Sequence, residues 1–168
     1  LFADNGTLVM SAKVTGIGDL TLNGNATVIQ QVQFNNAGNT WTGNLTVNPT
    51  ASLVVNGTLN PGTASVYNLR PGAPGVSNSI GGSGTLALAG TLDLDLSTVA
   101  PSTGASWNLV TIIPTYNSAF TVADSASLVG GFTAGAGAAG SRTWTSGNGD
   151  YEFSESTGVL SFVGTLSG

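Results

Sequence analysis

Gly43-Asn-Leu-Thr-Val-Asn48 and Ser52-Leu-Val-Val-Asn-Gly-Thr-Leu59 set the period on which the rest of the chain is read. Apolar side chains recur at every second position, and Asn or Gly stands at the corners. A β-strand sends successive side chains to opposite faces, so this pattern is that of a strand with one buried and one wet face. Asp19-Leu-Thr-Leu-Asn23 and the run from Ala26 to Phe34 have the same texture. Thr7 to Val14 also alternates, with Leu8, Met10, Ala12 and Val14 on one side. The runs follow each other at a loose spacing of roughly twenty residues, the range of solenoid repeats. The expectation for residues 1–62 is a short stack of parallel β-helix coils, with Leu20, Leu22, Val28, Leu45, Val47, Leu53 and Val55 inward. The competing arrangement is an antiparallel sandwich with evenly spaced hairpins. No stretch carries the 3.6-residue period of an amphipathic helix, so the protein is expected to be all-β.

Residues 63–84 contain Pro71, Pro74 and many Gly and Ser, and read as a linker or long surface loop. Alternation returns from Thr85 onward. The expected strands there span 85–97, 106–113, 119–123, 127–133, 142–146, 150–154 and 158–164, a set that suits an antiparallel β-sandwich or jelly roll over 85–168. Gly130 to Gly140 is a Gly/Ala-rich loop between two of them.

Composition narrows the function classes. Only 7% of the 168 residues are charged, against about 25% in ordinary soluble proteins. The three bases, Lys13, Arg70 and Arg142, stand far apart in a chain of net charge -5. Nucleic-acid binding needs several phosphate-neutralising side chains on one face, so no nucleic-acid partner is expected. No apolar run reaches the ~18 residues of a membrane-crossing helix. Leu1-Phe2-Ala3 fits the tail of a cleaved export signal, and the absence of Cys suits bacterial export.

With neither His nor Cys, the Ser-His and Cys-His arrangements of nucleophilic catalysis cannot form. Asp93 and Asp95 share one strand face about 7 Å apart, as do Asp150 and Glu152. A glycosidase pair needs such carboxylates across a cleft, yet neither pair sits in a sequence that builds one. The bland reading is a solvated strand face, and no enzyme activity is expected. Calcium, which takes oxygen ligands, is the weaker alternative, with Asp150 and Glu152 beside the Gly147-Asn-Gly-Asp150 turn as candidate ligands. Gly135-Ala-Gly-Ala-Ala-Gly140 matches a dinucleotide fingerprint in letters only, because a strand rather than a helix follows it. Trp41, Trp144 and Tyr116 are the candidate sugar-stacking residues if the protein binds an extracellular polysaccharide; core packing is their ordinary role.

Asn39-Thr-Trp-Thr-Gly-Asn-Leu-Thr-Val-Asn48, followed by Ala51-Ser-Leu-Val-Val-Asn-Gly-Thr-Leu59, resembles the autotransporter-associated β-strand repeat. Pro61-Gly62 looks like the turn that closes a last repeat of that kind. The later segments Gly84 to Leu96, Trp107 to Ile112 and Tyr151 to Phe162 are similar to the terminal region of secreted proteins that carry a PEP-CTERM sorting tag, although no tag is present. The resemblance implies a secreted or cell-surface bacterial structural protein, and it carries over no site residue.

The function expected from these readings is a structural subunit of an extracellular fibre, stalk or coat, forming a homo-polymer by β-strand addition. Leu8, Met10, Ala12 and Val14 are the candidate donor residues, and the C-terminal strand bearing Val159 and Val163 is the second candidate. A carbohydrate-binding or adhesive surface module is the alternative.

Overall fold

The computed structural model describes residues 1, 6–24, 29–72 and 77–165. Val28, expected to point inward, lies outside them. Among the described residues every regular element is a strand, and they form a parallel β-solenoid followed by an antiparallel sheet. Three parallel sheets wrap one core. The first contains β1 (Thr7–Met10), β3 (Gln30–Phe34), β5 (Ala51–Val55) and β8 (Ile80–Gly81), stacked in that order. The second stacks β2 (Leu20–Leu22), β4 (Leu45–Val47), β7 (Val66–Leu69), β10 (Thr91–Leu94) and β13 (Thr121–Ala123). The third and shortest holds β6 (Thr58–Leu59), β9 (Thr85–Leu88) and β12 (Thr115–Tyr116). From β5 onward each coil visits the first face, then the third, then the second; the first two coils have no third-face strand.

Register explains why alternation suffices to build this. Leu8 pairs with Val32, Val32 with Leu53, Leu53 with Ile80, and Ile80 with Val110. On the second face Leu22, Val47, Tyr67, Leu92 and Val122 form the matching column. Rungs about 4.8 Å apart stack like on like, so a residue inward in one coil is inward in the next. Val32, Leu53, Ile80, Leu22, Val47, Tyr67 and Leu92 are fully buried. Leu45 and Val55 are buried and Leu20 is half-buried, as expected.

The corners carry polar ladders. Asn48 Nδ2 donates to Asn23 Oδ1, and Asn56 Nδ2 donates to Asn35 Oδ1 at 3.0 Å. Gly57 and Gly84 sit where successive corners nearly touch: a Cβ on Gly84 would lie 2.0 Å from the Gly57 carbonyl oxygen. The Asn-Gly corners read from sequence are thus sites of close backbone approach.

The parallel coils run on past residue 62. The stretch expected as a linker holds β7 and β8, and Asn78, fully buried between them, accepts from Arg70 N and donates to the Ala51 and Asn68 carbonyls. Its Gly, Pro and Ser are the corner residues of a longer coil. β9, β10, β12 and β13, expected in the antiparallel part, are parallel rungs of the same stack. The antiparallel sheet orders β11 (Ser106–Asn108), β17 (Val159–Phe162), β16 (Tyr151–Ser154), β15 (Thr143–Ser146) and β14 (Phe132–Ala134). It is one sheet, and its apolar face packs on the last coil. The Phe120 ring stands edge-on to Trp144 at 6.2 Å, and buried residues of coils and sheet form a single cluster.

Candidate functional site

The two ends of the solenoid differ. At the C-terminal end the first-face ladder stops at Val110, where Gly158 O accepts from both Leu109 N and Val110 N at 3.0 Å. β11 leaves that point and pairs with β17, so the antiparallel sheet closes the end of the core.

At the N-terminal end no described segment covers β1. Its inward residues Leu8 and Met10, with Val14 and Leu20 of the same coil, are only half-buried, whereas Val32 and Phe34 directly behind are at 0% exposure. Val9 is 47% and Ile17 84% exposed, and an open groove runs along Val9–Thr15. Met10 O accepts from Asn35 N, toward β3. Strand peptides alternate sides, so the N–H and C=O of Val9 point the other way, to the free edge. Ala12, exposed at the corner, does not join Leu8, Met10 and Val14 on the inner side. Lys13 and Asp19 are the only formally charged side chains among the described residues of this coil.

On the second face this end already takes one backbone pairing. Leu1 N donates to Thr21 O at 2.6 Å, and Asn23 N donates to Leu1 O at 2.9 Å. A residue that donates to position i−1 and accepts from i+1 is paired in parallel with i, here Leu22.

The other candidates fall elsewhere. β17 is an interior strand between β11 and β16, with Leu160 and Phe162 inward and Val159 and Val163 outward. The three aromatic candidates are buried and offer no stacking platform: Trp41 is 3%, Trp144 6% and Tyr116 8% exposed. Trp41 Nε1 donates to Gly18 O, and Tyr116 packs edge-on against Phe120 at 4.9 Å. Burial, with help from the nearby Glu155 charge, pushes the Tyr116 hydroxyl well above its ordinary value, so it stays protonated.

The carboxylates tie down local turns. Asp93 Oδ1 accepts from Ser125 N. Asp95 accepts from Ser97 and pairs with Arg70, and these contacts hold its carboxyl below the usual range, the Ser97 hydroxyl contributing most. Asp150 accepts from Asn148 Nδ2 inside its own turn, and Glu152 sits on β16 beside it. No group of three or more His, Cys, Asp or Glu able to hold a metal occurs among the described residues. EDTA is therefore expected to leave the melting temperature within about 5 °C. A site filled at 100 times its Kd would contribute about 2.7 kcal/mol, and its loss would show as a larger drop in a thermal scan.

One charged site was not legible in the sequence. The Glu155 side chain is fully buried and accepts from Gly140 N at 2.6 Å, Arg142 Nε at 2.9 Å and Trp144 Nε1 at 2.9 Å. Arg142 Nη2 closes the ion pair at 2.7 Å, and its guanidinium lies over the Trp144 ring, 5.0 Å from the centroid. Burial pushes the Glu155 carboxyl up, but the donors from Arg142, Trp144 and Gly140 outweigh it and hold the group below its ordinary value. These contacts make the group a clamp within the capping sheet.

No protein-family model, curated protein or solved structure matches the chain.

Proposed function

We propose that the protein is a non-catalytic structural module of a secreted bacterial surface or extracellular layer, associating by β-strand addition at its N-terminal rung. The observation that carries this reading is the asymmetry of the two ends among the described residues: one core end is closed by a sheet, and at the other no described segment pairs with the outer edge of β1, whose inward side chains are half-buried. Proteins that must stay apart guard such edges with charge or Pro, and here Lys13 is the single base near the rung. The resemblance of residues 39–59 to the autotransporter-associated repeat supports the bacterial surface as the setting. The outward column Thr21, Thr46, Val66, Thr91 and Thr121 adds a long uncharged face.

Because the other end is closed, copies of this chain alone have no head-to-tail contact to repeat, and open growth into a filament needs one. Homotypic contact is then an edge-to-edge encounter at the N-terminal rung. Light scattering over a concentration series tests the site. The native chain is expected to associate at a concentration at least tenfold lower than a Val9→Lys, Ile17→Lys variant with the same circular dichroism. Equal association of the two would place the contact elsewhere and sink the reading.

A further inference from the structure

The seam between the last coil and the closing sheet holds a partly open cavity of about 150 Å³, at the opposite end of the solenoid from β1. Tyr116 and Glu155 line its floor and are 8% and 3% exposed. The Tyr116 hydroxyl has no hydrogen-bond partner among the described residues. A buried polar group is disfavoured until something satisfies it, and the groups around this one are spent. Glu155 accepts from Gly140 N, Arg142 and Trp144 Nε1, while Arg142 Nη2 also reaches the Phe120 carbonyl. Burial pushes the Tyr116 hydroxyl up, and the Glu155 charge adds to it, so the two groups stand near one another on the cavity floor.

The walls define the occupant. Ile112 and Pro114 give an apolar side, Ile113 stands at the mouth at 95% exposure, and Ser156 and Thr157 are exposed hydroxyl residues beside it. Glu155 is the one charged residue of the lining, and Arg142 already meets its charge. An anion would find no base free to pair with it. A cation would find the carboxylate lone pairs taken by N–H donors. The fitting ligand is therefore neutral, with hydroxyls at its edge and an apolar face. Volume sets its size, since about 150 Å³ is enough for one six-membered ring. We propose that this cavity binds the terminal pyranose of a neutral polysaccharide, a sugar hydroxyl pairing with the Tyr116 hydroxyl and the C–H face of the ring lying against Ile112, Ile113 and Pro114. The Tyr116 ring stays in the core, edge-on to Phe120, so recognition works through its hydroxyl and not by stacking. The site lies apart from β1 and stands independently of the strand-addition reading.

The test titrates the full chain with the methyl glycosides of glucose, galactose, mannose and N-acetylglucosamine, up to their solubility. NMR follows the Trp144 indole N–H and the Gly140 amide, because both bond Glu155 at the cavity floor. At least one probe is expected to shift both signals to saturation. Tyr116→Phe should weaken that probe about tenfold, since a sugar hydroxyl then enters the cavity without its partner. Ile113→Ser, at a position too exposed to matter to the fold, should weaken it about fourfold by removing apolar contact. Sodium glucuronate and glycerol are expected to leave both signals in place. The proposal is overturned if no glycoside moves them, or if Tyr116→Phe and Ile113→Ser both bind as the native chain does. Glucuronate binding as tightly as the neutral glycosides would also overturn it, by showing that charge is recognised. Glycerol producing the same shifts at equal concentration would overturn it too, by showing a cavity that any small polyol fills.

Discussion

Glu155→Ala is expected to destabilise the protein by about 3–5 kcal/mol, because it leaves the Arg142 guanidinium largely buried without its counter-charge. At roughly 2–4 °C per kcal/mol for a chain of this length, the melting temperature should fall by about 6–20 °C. Three further donors, Gly140 N, Arg142 N and Trp144 Nε1, lose their acceptor in the same change. The clamp also sets a pH dependence. Its folded-state carboxyl is lowered, so the unfolded chain binds the proton more readily. The stabilisation is therefore complete above the unfolded value of about 4.3 and is lost as pH falls through the folded one. Melting curves below about pH 4 should be steeper in pH for the native chain than for Glu155→Gln. Parallel acid limbs would show that the ion pair contributes no net stability.

Gly158→Ala is expected to cost about 2–5 kcal/mol. The residue has a φ of 68°, a region that costs an L side chain about 1–2 kcal/mol. A Cβ there would also lie 1.8 Å from the Val110 carbonyl oxygen, and relieving such overpacking adds about 1–3 kcal/mol. The contact joins the last first-face rung to the closing sheet, so the change opens the seam between them. Gly149 is the natural control: its φ is 77°, but a Cβ there meets nothing within 4 Å. Gly149→Ala should cost only the backbone strain. Equal denaturant midpoints for the two variants would mean that the seam is not tight.

Period-two alternation and Asn-Gly corners were enough to read the strands, the solenoid and most inward residues of the first coils. They could not tell where the solenoid ends. Leu86 and Leu88 on β9, and Leu92 and Leu94 on β10, alternate in the same way whether their neighbours run parallel or antiparallel. Direction is decided by what the intervening corner does in space. Coil length hides it further, since the step from Val32 to Leu53 is 21 residues and that from Ile80 to Val110 is 30. Thr63 to Gly84 looked like a linker because the residues that make a tight corner are also those that make a loose loop; only the buried Asn78 amide separates the two. At the N-terminal end alternation puts Leu8, Met10 and Val14 on the right face but also Ala12, which the corner turns outward, and it does not show which side of β1 lacks a described neighbour. Glu155 gave no signal, since a lone carboxylate becomes a clamp only when the sheet returns Arg142 and Trp144 to it.

The closing sheet is also where the chain can begin to order itself. Its hairpins join near neighbours, Trp144 to Phe153 and Phe153 to Leu160, whereas every rung of the coils joins residues twenty or more apart. Short closures cost less chain entropy and form faster. A coil has no hairpin of its own and gains most when a finished rung is already there to serve as a template. Synthesis, however, makes the coils first and the hairpins last. An assembly that starts at the sheet would run against the order of synthesis, winding back, coil by coil, from the closing sheet toward the N-terminal rung.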